Sequence, residues 1–104
     1  MSDEDIAEFF SALGHPIRIK ILRILSKGDK FVSELAKEMG ISRPLLYLHL
    51  NKLEKAGLVE TYVEHFQEPP YVKKFVRIKK VLIKFNLPNL ELELKSLKES
   101  EKNE

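Results

Sequence analysis

A mostly helical α+β fold is predicted for this chain of 104 residues, and three observations predict it. Apolar residues recur at helical spacing in successive stretches between Asp3 and Ala56. After Gly57 the pattern changes to runs rich in Val, Tyr, Phe and Ile, which read as strands. Between the last two helical stretches stands Met39-Gly40-Ile41-Ser42, a short turn of the kind that joins two helices at a steep angle. Together these features describe a winged helix-turn-helix with a two-stranded wing.

The first helix is expected over Asp3 to Leu13, with Ile6, Phe9, Phe10 and Leu13 on one face. Asp3, Glu4 and Asp5 complement the positive end of its dipole. Gly14-His15 breaks the pattern, and Pro16 opens a second helix at a position where proline is welcome. There Ile21, Leu22 and Leu25 are expected to face the core, with Arg18, Lys20 and Arg23 pointing elsewhere. Gly28-Asp29 ends it. Phe31-Val32 reads as a short extended link that pairs with the later hairpin. Ser33 is expected to cap a third helix, Glu34 to Met39, with Leu35 and Met39 inward.

Gly40 stands where that helix must end with a positive φ, and Ile41 plugs the space between the two helices. Ser42 can cap the fourth helix by accepting a hydrogen bond from a free backbone N–H. Pro44 is tolerable because first-turn N–H groups have no partner inside the helix. This helix runs to about Ala56 and stops at Gly57. Leu46, Leu50 and Leu53 form its buried face, and Arg43, Tyr47, Asn51 and Lys55 the opposite one.

Leu58 to Phe66 reads as a strand and Gln67-Glu68-Pro69-Pro70 as a turn, since adjacent prolines do not fit inside a sheet. Tyr71 to Leu87 has strand character but is too long for one ordinary strand, so a bend or bulge is expected near Lys79-Lys80. The tail from Pro88 carries two patterns. Leu90, Leu92 and Leu94 alternate like a strand, while Leu87, Leu90, Leu94 and Leu97 fit one helical face. The helix, from about Pro88 to Glu101, is the preferred reading. Residues 1–87 are then one winged helix-turn-helix unit and 88–104 a C-terminal tail.

The net charge is +2, unevenly spread. Residues 1–14 carry −4, residues 15–60 carry +4, residues 61–87 carry +4 and residues 88–104 carry −2. The basic middle coincides with the helix-turn-helix and the wing, as a phosphate-binding surface requires. The expected contacts to duplex DNA are Ser42, Arg43, Leu45, Tyr47, Asn51, Lys52 and Lys55 on the fourth helix, with Lys73, Lys74 and Arg77 on the wing meeting phosphates. Arg43 and Asn51 can read base edges, Tyr47 can donate to a phosphate and Leu45 can touch a thymine methyl. The plainer alternatives are a solvated helix face, an anti-aggregation wing edge, and Leu45 and Leu48 burying against the wing.

The chain has no cysteine, hence no disulfide framework and no thiolate chemistry. No apolar run approaches the length of a membrane span, and Ser2-Asp3-Glu4-Asp5 is unlike a signal peptide. A cytoplasmic location is expected. No nucleophile–base pair, metal cage or phosphate-cradling loop is visible, so no catalytic residue is assigned.

Three stretches, Ala12 to Leu25, Ser33 to Pro44 and His49 to Val59, occur in an order and at a spacing that resembles the ArsR (arsenical-resistance repressor) family of small transcriptional regulators. The resemblance implies a regulator, most often a repressor, acting as a homodimer on palindromic DNA. In such proteins the first and last helices pack across a two-fold axis. Here they offer Ile6, Phe9, Phe10 and Leu13 at one end and Leu90, Leu94 and Leu97 at the other, unless these stripes simply close the monomer core. Arsenic- and cadmium-sensing relatives carry thiols where this chain has Ser33 to Glu38, and zinc- and nickel-sensing relatives use histidines on the last helix, where residues 88–104 have none. His15, His49 and His65 are far apart in sequence and on different elements. No metal and no cofactor is therefore expected. An architectural DNA-binding protein and a winged-helix protein-interaction module are the competing classes.

Overall fold

The computed structural model describes residues 1–97. Its elements follow in chain order as α1 (Asp3–Leu13), α2 (Pro16–Leu25), β1 (Lys30–Phe31), α3 (Val32–Met39), α4 (Arg43–Lys55), β2 (Val59–His65), β3 (Val72–Ile78), β4 (Val81–Asn86) and β5 (Glu91–Ser96). Most helix starts have a local cause. The Ser2 hydroxyl accepts the Asp5 N–H at 3.1 Å while the Asp5 carboxylate accepts the Ser2 N–H at 3.3 Å, a reciprocal cap on α1. His15 caps α2, its Nδ1 accepting the Ile17 N–H at 3.1 Å. Ser42 caps α4 by accepting the Leu45 N–H at 3.2 Å. Gly40 closes α3 with φ 69°, the left-handed region that glycine enters at little cost.

Ser33 does not cap α3. The helix begins at Val32, flanked by Phe31, with no side-chain cap. Lys30 and Phe31 are drawn into pairing with Val76 and Phe75 of β3, and Val32 is buried immediately after. The chain therefore turns helical one residue before the serine.

Ile21, Leu25, Leu35, Leu46, Leu53, Val59 and Val76 are the fully buried centre, where α2, α3 and α4 meet the roots of β2 and β3. The wing is a three-stranded antiparallel sheet in the order β1-β3-β2, with Val59 opposite Ile78 and His65 opposite Val72. The expected break near Lys79-Lys80 is present, and it separates two sheets.

The tail is not a helix. Glu91–Ser96 is a strand that pairs antiparallel with β4, from Val81 opposite Ser96 to Asn86 opposite Glu91. Leu87 to Leu90 form the turn, closed by the Leu90 N–H donating to the Leu87 carbonyl at 3.2 Å. The expected boundary between residues 87 and 88 falls inside this turn. The physical reason is face matching. Val81, Ile83 and Phe85 stand opposite Ser96, Leu94 and Leu92, so the hairpin has one apolar face to lay on the core. The last part of the expected helix, residues 98–101, lies outside the described residues.

The apolar stripes expected on two terminal helices are thus redistributed. Phe9 is buried in the core, and Ile6, Leu13 and Leu94 pack against it. Leu97 is half-buried, and Phe10 and Leu90 are exposed.

Candidate nucleic-acid interface

The steep turn after Gly40 holds α4 across α3 with Leu46, His49, Leu50 and Leu53 facing inward. Arg43, Leu45, Leu48, Asn51, Lys52 and Lys55 are exposed, and Tyr47 is half-buried. Arg43, Tyr47, Asn51 and Lys55 recur every four residues and so form one ridge along the outer side. Leu45 and Leu48 do not bury against the wing, being 39% and 62% exposed.

Alternate residues of β3 face opposite sides of the wing. Lys74 shares a side with buried Val76 and turns toward α4, its Nζ 5.0 Å from the centroid of the Tyr47 ring. Lys73 and Arg77 face away. The Lys73 Nζ lies 4.4 Å from the centre of Phe31 and 5.4 Å from that of Phe66. The Arg77 Nε donates to Glu60 at 3.0 Å, and its guanidinium stands 4.6 Å from the centre of Tyr62. Tyr62 stacks on Phe75 at 5.3 Å and donates its hydroxyl to Asp29 at 2.6 Å. That hydrogen bond, with smaller contributions from desolvation and nearby acids, pushes the Tyr62 pKa up to about 12.

The ten residues expected at DNA therefore divide. Arg43, Tyr47, Asn51 and Lys55 form the α4 ridge, Ser42 caps the start of that helix, Leu45 is exposed on it, and Lys74 stands on the wing side that faces the ridge. Lys73 and Arg77 lie on the opposite side of the wing with aromatic and acidic partners of their own. Asn51, Lys52 and Lys55 also line a groove of about 470 Å³ between α4 and α1, where Asp5 and Glu8 stand on the other wall.

Arg18, expected to point away from the core, is buried, with 6% of its surface exposed. Its Nε donates to the Ala12 carbonyl at 2.8 Å and its Nη2 to the Ser11 carbonyl at 3.0 Å, at the end of α1. Its Nη1 lies 3.2 Å from the Nδ1 of His49 on α4. One guanidinium thus ties three helices, satisfying carbonyls that the end of α1 leaves open. The signal was in the spacing: Arg18, Ile21 and Leu25 share the buried face of α2 at i, i+3 and i+7.

The structure also brings together two histidines that are distant in sequence. The rings of His15 and His49 lie 4.9 Å apart, edge to face. The guanidinium donates to the His49 Nδ1, which leaves the ring neutral with its proton on Nε2. Burial lowers the His49 pKa, and the nearby His15 and Arg18 lower it further. Each Nδ1 is occupied, one by the Ile17 N–H and the other by Arg18. Among the described residues no group of three or more His, Cys, Asp or Glu is placed to hold a metal ion.

Residues 15–61 match the family described as "Bacterial regulatory protein, arsR family". An uncharacterized HTH-type transcriptional regulator of Methanocaldococcus jannaschii is 54% identical over 57 residues, which is 55% of this chain and 60% of that relative's length. A solved ArsR family transcriptional regulator superimposes with a TM-score of 0.60 at 31% identity, over 77% of this chain and 76% of the other. The homodimeric winged helix-turn-helix DNA-binding domain of a possible ArsR-family regulator from Mycobacterium bovis gives a TM-score of 0.59 at 26% identity, over 75% of this chain and 72% of that one. With Gly40, Ser42 and the α4 ridge in the places that the winged helix-turn-helix requires, the chain belongs to the arsR family of regulatory proteins.

Proposed function

We propose that this chain is a DNA-binding transcriptional regulator that acts in the cytoplasm as a homodimer on palindromic duplex DNA, and that it represses by blocking access of polymerase. The observation that carries the reading is the surface on which the ridge of Arg43, Tyr47 and Asn51 lies beside Lys74 of the wing. A helix of this size fits the major groove, and residues of its first turns reach base edges. Arg43 offers a bidentate donor to guanine, while Lys74 offers a point charge to phosphate. The homodimeric state of the Mycobacterium bovis domain supports two copies per site. The reading includes no enzymatic step, and among the described residues no helix is long and apolar enough to cross a membrane.

The test is a titration of duplex binding across salt concentrations. Neutralising about six phosphates per dimer gives a log–log slope of about −5. A slope near zero overturns the reading in favour of a protein-interaction module. The exposure of Leu45 and Leu48 favours a second reading, an architectural protein with little sequence preference, because those positions carry no hydrogen-bonding group. Genomic footprinting separates the two: sharp palindromic sites support the regulator, and broad coverage the architectural protein.

A further inference from the structure

The hairpin β4–β5 forms a two-stranded sheet of its own. Among the described residues neither outer edge of this sheet is paired with another strand, and a free edge offers its N–H and C=O groups to another chain. The two edges here differ in chemistry. β5 reads Glu91-Leu92-Glu93-Leu94-Lys95-Ser96, with charges at alternate positions, the kind of composition that keeps an edge from pairing. β4 reads Val81-Leu82-Ile83-Lys84-Phe85-Asn86, with one charge. On the side turned to the core Ile83 and Phe85 leave an exposed apolar patch, while Leu82 is exposed on the opposite side and Leu87 and Leu90 are exposed in the turn. Phe85 extends this patch onto α1 by meeting exposed Phe10 edge-on, with ring centres 4.9 Å apart. Leu90 holds a φ of 48°, a conformation that a leucine enters only at some cost, and still presents its side chain to solvent.

We propose that β4 is the strand through which two copies of this chain join, pairing antiparallel with β4 of the second copy to make one four-stranded sheet across the two-fold axis. The inference rests on the homodimer reading above and names its surface. An antiparallel strand can pair with itself about a two-fold axis, so each copy presents the same patch to the other. Charge selects the register. Centring on Ile83 sets Val81 of one copy opposite Phe85 of the other, and Leu82 opposite Lys84, so the two lysines never face each other. The apolar side of the enlarged sheet then runs over both α1 helices and covers Phe10. A strand edge thus takes the role that a helix was expected to fill.

The chain has no cysteine, so a single introduced thiol forms disulfides only between copies. Ile83→Cys places two thiols at the axis, and mild oxidation is expected to cross-link the full-length protein, while Glu93→Cys on β5 stays unlinked. Two reversible variants read the register by sedimentation. Leu82→Lys sets like charges opposite Lys84 twice and weakens the dimer about tenfold. Leu82→Glu meets Lys84 with the opposite charge and leaves the dimer at least as tight as the parent. Leu82 faces solvent, so both variants fold. A parent dimer that Leu82→Lys leaves unchanged, and that Ile83→Cys does not cross-link, overturns β4 as the surface while the homodimer stands. A parent chain that sediments as a monomer on and off DNA overturns the homodimer reading itself.

Discussion

The wing and the C-terminal hairpin are built from strands of nearly equal length, seven residues each in β2 and β3 and six each in β4 and β5. They are held in different ways. The wing is rooted by Val59 and Val76, both fully buried, and β1 adds a third strand along its far edge. Each base on its outer side has a partner, Lys73 over Phe31 and Arg77 against Glu60. The second hairpin has one buried side chain, Leu92, and leaves most of β4 in solvent. An isolated two-stranded hairpin is marginal in water. Its persistence here depends on the apolar face it lays against Phe10 and, through Val81 and Leu94, against the core beside Gly57. Strand propensity is alike in the two, so what each edge and face meets decides which is part of the domain and which is a surface for assembly.

The largest effect that tests this contrast is at the roots. Val76→Ala is expected to cost about 2–3 kcal/mol of global stability, because the site is enclosed on all sides and cannot collapse. Leu92→Ala is expected to cost about 1–2 kcal/mol, because the second hairpin can relax into the gap. Hydrogen exchange separates the two outcomes. In Leu92→Ala, protection falls across residues 81–96 and stays high across 59–78. Equal loss in both regions breaks the contrast and makes the two hairpins one cooperative unit.

A second set sharpens the contrast between the two sides of the wing. Arg43→Ala is expected to lose about 1–3 kcal/mol of binding on the preferred duplex and much less on a scrambled one. Lys74→Ala weakens both duplexes by a similar, smaller amount and makes the salt slope shallower by about one unit. Lys73→Ala, on the far side of the same strand, leaves the slope as it was. A Lys73→Ala slope change equal to that of Lys74→Ala shows that DNA engages both sides of the wing. Equal losses for Arg43→Ala on the two duplexes assign that residue to positioning and favour the architectural protein.

The smallest effect reaches the second hairpin through α1. The pKa of His49 lies below its ordinary value of 6.5 in the folded chain. Above that pH both folded and unfolded chains carry a neutral ring, and stability does not depend on it. As pH falls below 6.5 the unfolded chain binds a proton that the folded chain resists, so stability drops, and it levels off once the folded ring titrates as well. Thermal unfolding between pH 7.5 and 5.5 is expected to show this decline. His49→Gln, whose amide oxygen still accepts from Arg18, is expected to lack it. Since Arg18 joins His49 to the end of α1, hairpin amides at residues 81–96 lose protection before those of the wing.

Where local pattern and tertiary demand agreed, the fold was legible in the residues. Gly40, Ser42 and the spacing of Leu46, Leu50 and Leu53 are enough to place the helix-turn-helix. Each acts within a few residues of itself. The tail was ambiguous because Leu90, Leu92 and Leu94 fit a strand as well as Leu87, Leu90, Leu94 and Leu97 fit a helix. Only the partner strand resolves the choice, since β4 supplies Ile83 and Phe85 opposite Leu94 and Leu92. Arg18 is legible by face and not by residue type: its charge suggests solvent, while its spacing from Ile21 and Leu25 puts it on the buried side of α2. Of the interface, the α4 ridge could be read from spacing. The division of Lys73 and Arg77 from Lys74 needed the register of β3 against β2.

The contact of Lys74 with Tyr47 has a consequence for how affinity is composed. A lysine on an open strand samples many rotamers and must surrender them when it meets a phosphate, at about 0.5–1.5 kcal/mol for such a side chain. With its ammonium already over the Tyr47 ring, 5.0 Å from the centroid, much of that freedom is given up before DNA arrives. The wing is therefore preorganised by the helix it flanks. Tyr47→Phe deletes the hydroxyl and keeps the ring, whereas Tyr47→Leu deletes both, so calorimetry is expected to show a less favourable binding entropy for Tyr47→Leu than for Tyr47→Phe.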